Sequence, residues 1–149
     1  TRQGLPHQPR TPAQLENVSR GGYVLVEAPG NAEAAIIATG SEVGLAVAAA
    51  KELSSQGVNV RVVSMPNPGL FMSQDESYRE SVLPSSLTAR VVVEAGVTAG
   101  WAAIAGGQGR IIGVDRFGAS APAGELFKEY GLTVENVSQA VRDSVAAGE

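Results

Sequence analysis

Thr39-Gly40-Ser41-Glu42 stands between an apolar run, "AAIIA", and a helical pattern, which is where a phosphate cradle would stand. A strand ending on glycine and a hydroxyl at a helix mouth offers an anion free backbone N–H groups and the favourable end of the helix dipole. The residue types argue against that use. Dinucleotide loops carry three spaced glycines and nucleotide P-loops add a lysine, whereas Gly40 is the only glycine of this turn and no lysine stands in it. Thr39 and Glu42 instead have the T-x-x-E spacing of a capping box, in which each side chain bonds the other's backbone N–H. Glu42 would also place negative charge where a phosphate should sit, which a helix dipole favours as a cap but which repels an anion. Capping is therefore the expected role.

Other candidates are weaker. Glu94 closes the run "RVVVE" at the strand end where open α/β sheets place their sites, so it is either a site carboxylate or a cap on the next turn. The glycine-dense "GGQG" at 106–109 precedes a strand rather than following one, which favours a connecting turn. His7 is the only histidine, on a proline-rich segment, so a serine triad or a histidine metal cluster would have to rely on it alone. Asp75 and Glu76 are adjacent and so point to different sides of a helix, which suits a solvated surface. Trp101 is either an interface anchor or ordinary packing. Nothing in residues 14–149 assembles a nucleophile, a base and an oxyanion donor. No catalytic, cofactor-binding or metal-ligating residue is assigned.

These residues need elements to position them. The first fourteen, "TRQGLPHQPRTPAQ", carry three prolines and no apolar periodicity, and read as an extended arm. "YVLVEA", "AAIIA", "VNVRVVSM", "ARVVVEAG" and "RIIGVD" read as five strands. Between them, residues 41–56 have helical spacing with Gly57 at the C-cap, and "DESYRESVL" is a short helix stopped by Pro84. "GWAAIAGG" allows a helical turn or two. "GELFKEYG" and "TVENVSQAVRDSVAA" are helices separated by Gly131, the second capped by Thr133 with Val134, Val137, Val141 and Val145 on one face. Strands that alternate with helices and read as continuous apolar runs imply a mostly parallel sheet covered on both faces. The expected fold is a three-layer α/β/α sandwich with about five strands.

Composition narrows the classes further. A chain of 149 residues is long enough to bury roughly 68–70% of its unfolded surface as one domain. It has no cysteine, which excludes disulfides, thiolate metal sites and a cysteine nucleophile and fits a reducing, cytoplasmic setting. The sequons at Asn17 and Asn136 read as chance matches. A net charge of −4 without a basic run argues against nucleic acid. The longest apolar stretches fall far short of the roughly 18 residues that suggest a membrane span. A start at Thr1, with no secretory pattern, suggests a piece of something longer.

Eight strings, "TRQGLP", "GGYVL", "IIATGSEV", "VRVVSMP", "QDESYRESVLP", "RVVVEAG", "FGASAP" and "GLTVENV", occur in the order and spacing of the C-terminal domain of transketolases, and the chain resembles that domain over essentially its whole length. Deoxyxylulose-phosphate synthases and pyruvate dehydrogenases share the domain's fold but are not expected to carry these strings. The resemblance implies a parent enzyme that transfers a two-carbon ketol unit between sugar phosphates, in the pentose phosphate and Calvin routes, using thiamine diphosphate and Mg2+ or Ca2+. It also implies that the cofactor site, the activating glutamate and most catalytic histidines lie in N-terminal and middle domains outside this chain. The domain's own part would be structural support, contacts in a homodimer, or regulation. One site residue carries over: Arg2 of "TRQ" resembles an arginine that grips the substrate's phosphate. The sequence departs from the family pattern at "MPNPGLFMSQ" and in the less aromatic "VTAGWAAIAGGQG".

The implied division is residues 1–13 as the end of a preceding domain and linker arm, and 14–149 as the transketolase C-terminal domain. Two other readings stay open: an independent α/β module binding a small anion near Thr39, Met65 and Glu94, and a separately encoded subunit of a split thiamine enzyme.

Overall fold

β2, Ala34–Ala38, is apolar at every position because it is covered twice. Ala34, Ile36 and Ala38 point into one core and Ala35 and Ile37 into the other, all five fully buried. Around it stand β1 (Tyr23–Val26), β3 (Val60–Ser64), β4 (Arg90–Val93) and β5 (Arg110–Ile112), in the order β1-β3-β2-β4-β5. β2 to β5 run parallel, and β1 is antiparallel to β3 at the edge, with a bulge between Val24 and Val26. The computed structural model describes residues 4–148. Arg2 therefore lies outside the described residues.

One face is covered by α2 (Val43–Ser55), α6 (Ala123–Glu129) and α7 (Val134–Ala146); the other by α3 (Pro68–Met72), α4 (Glu76–Val82) and α5 (Ala102–Ala105). The expected three-layer α/β/α sandwich is the fold observed. α2 ends as its sequence requires. Gly57 takes φ +85°, its N–H donates to the Ser54 carbonyl at 3.1 Å, and the Val58 N–H reaches Leu53 at 3.0 Å, the paired bonds of a Schellman close. α7 starts on the Thr133 hydroxyl, which accepts the Asn136 N–H at 3.2 Å. Its Val137 and Val141 are fully buried and its Val134 and Val145 partly so.

Two helices depart from the sequence reading. α1, Pro12–Asn17, begins inside the proline-rich stretch expected to be extended, and α3 lies between "VNVRVVSM" and "DESYRESVL", where the sequence signals no element. Both open on a capping residue followed by proline. Thr11 accepts the Gln14 N–H while the Gln14 side chain accepts the Thr11 N–H, and Asn67 accepts the Leu70 N–H at 3.0 Å. Proline at the first helical position has no N–H to lose there and is preset for the helix. Gln14 also donates to the Val24 and Leu25 carbonyls at 2.9 Å, tying α1 to the edge strand. The divergent "NPG" is thus a capped helix start.

Candidate functional site

β2 leads through α2 to β3 on one side, while β4 lies on β2's other side. Strand order reverses between β2 and β4, and the crevice beyond their carboxyl ends is where open α/β sheets bind ligands. Thr39 to Glu42 and Glu94 are the residues the sequence delivers to this point.

The turn is built differently from the expected capping box. Gly40–Glu42 is a single 3₁₀ turn with the Glu42 N–H on the Thr39 carbonyl at 3.2 Å, and the Thr39 side chain makes no capping bond. Glu42 is 3% exposed and accepts the Ser41 hydroxyl instead. The capping box fails because the left-handed Gly40, φ +56°, turns the chain at once and carries Glu42 inward, out of reach of Thr39. A Cβ on Gly40 would lie 4.0 Å from Glu42 Oε2, so a carboxylate stands beside the turn and its charge opposes an anion there.

Glu94 is half-buried at the end of β4, its N–H on the Ile112 carbonyl at 3.1 Å. Burial first, and then the nearby Glu42 carboxylate, push its carboxyl above the ordinary glutamate value of 4.5. The sign follows from proton counting. Between the ordinary value and the raised one the folded state holds more protons than the unfolded chain, so stability falls as pH rises through that window. Glu94→Gln should therefore be more stable than wild type at pH 7, with the two converging below pH 4.5. Denaturant melts of both proteins from pH 4 to 7 check this, and a constant difference across that range would refute it.

The other candidates are dispersed. "GGQG" is a turn at the opposite, amino-terminal edge, where the Gly109 N–H closes onto Gly106 at 3.3 Å. Asp75 and Glu76 are both exposed, and Asp75 caps α4 by accepting the Tyr78 N–H at 2.9 Å. His7 is exposed on the arm, and Trp101 is buried at 6% exposure in the second core. Among the described residues no group of three or more His, Cys, Asp or Glu could hold a metal ion, and no helix is long and apolar enough to cross a membrane. A diphosphate with its divalent ion needs backbone donors and oxygen ligands together. The switch point presents two carboxylates, Glu42 beside the Gly40 turn and Glu94, and this donor set does not fit a diphosphate.

Sequence reasoning missed Arg90. Its half-buried guanidinium donates to the carbonyls of Leu87, Ile104, Leu83 and Pro84 at 2.8–3.2 Å, linking the ends of α4 and α5 to the start of β4. The available signal was an arginine opening an otherwise buried strand.

Comparison with known proteins places this geometry. The model of the transketolase-like C-terminal domain matches residues 21–133. Transketolase 1 of Vibrio cholerae is 51% identical over 98% of this chain and 22% of its own length. Among solved structures, transketolase from Leishmania mexicana superposes with a TM-score of 0.79 at 44% identity, covering 89% of this chain and 19% of that one. Transketolase from Pichia stipitis in complex with sedoheptulose-7-phosphate gives 0.78 at 41%, with the same coverage. The chain thus spans about a fifth of the length of the relatives it matches. With a family model matched over residues 21–133 and a mostly parallel, two-faced sheet shared with solved transketolases, the chain belongs to the transketolase C-terminal domain family.

Proposed function

We propose that the chain serves as the non-catalytic third domain of a cytoplasmic, homodimeric enzyme that transfers a two-carbon ketol unit between sugar phosphates with thiamine diphosphate and Mg2+ or Ca2+. The observation that carries this reading is the 51% identity to a transketolase over 98% of this chain and only 22% of that relative. In this reading residues 1–13 end the preceding domain and form the arm, the remainder is the third domain, and the chemistry belongs to the upstream domains. The test is ketol transfer from a ketose phosphate to an aldose phosphate by the full polypeptide of the gene. Activity is expected, and a gene encoding no upstream thiamine-binding domains would instead favour a separate subunit or an anion-binding module.

Arg2 is the one residue of this chain assigned to substrate. A guanidinium presents paired N–H donors that match phosphate oxygens, and its charge persists at any working pH. Holding the end of the substrate remote from the chemistry, it acts on binding and orientation rather than on the cofactor. Arg2→Ala in the full enzyme should lower kcat/KM for phosphorylated substrates by about 1.5–3 kcal/mol, roughly ten- to 150-fold, and leave unphosphorylated ketol donors nearly unchanged. An equal loss on both substrate types would show that Arg2 does not read the phosphate.

A further inference from the structure

Phe117 and Val97 are the most exposed large apolar residues among those described, at 101% and 66%. They flank one groove with Asp115 and Arg116, at the carboxyl ends of β5 and β4. Single exposed apolar side chains are common on protein surfaces, but this pair is presented on a fixed frame. The Thr98 N–H and hydroxyl both donate to the Asp115 carboxylate at 2.8 Å, and the Val114 N–H donates to Gly96 at 2.8 Å. Arg116 bonds the Glu129 carboxylate at 3.1 Å and stands 4.8 Å from the centre of the Tyr130 ring. The segment that leads into Phe117, Val114 to Arg116, is thus bonded to the Val97 turn and to α6 while the ring itself remains in water. That is the form of a preorganised anchor.

The path of the arm says what covers it. A Cβ on Gly44, in the first turn of α2, would lie 3.2 Å from Pro6 Cγ, so the arm runs against the helix that leaves β2's carboxyl end. Farther along, Arg10 Nε donates to the Tyr23 hydroxyl at 2.6 Å, and Tyr23 pairs with Ser64 at the carboxyl end of β3. The arm therefore crosses the same edge of the sheet from which Val97 and Phe117 project. Relatives are about five times longer, and this chain matches their C-terminal domain. We infer that the upstream domains of the full polypeptide dock on this carboxyl edge and seat Phe117 and Val97 in an apolar socket. This rests on the reading of the chain as the third domain of a longer enzyme. Docking there closes the switch-point crevice with protein, so the edge where other α/β sheets bind small ligands becomes a domain interface.

The chain has no cysteine, so an introduced thiol reports on one position. In the full polypeptide, Phe117→Cys, Val97→Cys and the exposed control Ser86→Cys, at the opposite edge, are labelled with a maleimide, and each site is read by peptide mass spectrometry. Positions 117 and 97 should react at least about tenfold more slowly than position 86, as expected for sites exposed only on local opening. Equal rates at all three positions would overturn the inference. So would protection that vanishes on dilution to the monomer, since the occupant would then be a second copy. Protection in a polypeptide without ketol-transfer activity would uphold the docking face and remove only the enzymatic reading.

Discussion

Trp101→Ala should destabilise the domain by about 3–5 kcal/mol, the usual cost of deleting a large buried aromatic ring. Trp101 ends the 3₁₀ turn Thr98–Trp101 and is 6% exposed. It belongs to the buried cluster that also holds Ile37, Val63, Met65, Phe71, Val92 and Ile104, under α3, α4 and α5. The sequence left it between interface anchor and packing, and its burial decides for packing. The cost is high because the helices around it are short: α3, α4 and α5 have five, seven and four residues. Helices of that length do not hold themselves together and depend on tertiary contacts. Without the ring, neighbouring side chains can close the cavity only by moving these helices off the sheet. Domains have only about 5–15 kcal/mol of stability in total, so the variant should melt at much lower denaturant. Trp101 is the only tryptophan, so the melt must be followed by far-UV circular dichroism rather than indole fluorescence. A loss under about 1 kcal/mol, the scale of surface substitutions, would mean that the ring is not a core element.

What was legible in the sequence depended on how local the cause is. β2 could be placed residue by residue because an uninterrupted apolar run has one physical meaning in this setting, a strand buried on both faces. α7 was equally plain, with a hydroxyl cap and valines at helical spacing. α1 and α3 were hidden because proline reads first as a breaker, and only its pairing with Thr11 or Asn67 turns it into a start signal. The antiparallel edge strand has no signature within Tyr23–Val26 itself, since its direction is set by the partner it finds in β3.

The site shows the same limit more sharply. T-x-x-E spacing between Thr39 and Glu42 is compatible with a capping box and with the structure observed, and local chemistry cannot choose between them. The choice is tertiary, because the turn carries Glu42 inward and buries it, close enough for its charge to act on Glu94, fifty-two positions away in the chain. Glu94 itself was readable as a strand-end acid. That its neighbour would be another carboxylate depended on β2 and β4 pairing, which follows from topology rather than from either segment.

Arg90→Lys should cost at least about 3 kcal/mol, although it keeps the charge and most of the length, because leaving buried carbonyls without donors costs about 1–3 kcal/mol each before any compensation. The Arg90 guanidinium spreads its N–H groups over four carbonyls: Nε reaches Leu87 at 2.8 Å, Nη1 reaches Ile104 at 3.1 Å, and Nη2 reaches Leu83 at 3.2 Å and Pro84 at 2.8 Å. The Leu83 and Ile104 oxygens lie at the exits of α4 and α5, where helix carbonyls lack an intrahelical partner; Leu87 stands in the loop before β4, and the Pro84 oxygen also accepts the Leu87 N–H at 3.0 Å. A lysine ammonium is a compact point charge with three donors on one atom and cannot reach around a planar fork. It would also be more strongly hydrated than guanidinium, in a place where burial already pulls Arg90 below its ordinary range against the opposing charge of Glu80. The damage should be concentrated in the layer that Arg90 joins. Amide hydrogen exchange should accelerate in α4, α5 and the first residue pair of β4, while α2 and α7 on the far face keep their relative protection until global unfolding. Denaturant melts supply the magnitude and exchange supplies the location. A variant that melts within about 0.5 kcal/mol of wild type, the range of an ordinary surface substitution, would mean that water satisfies those carbonyls and that Arg90 does not hold the two helix ends to the sheet.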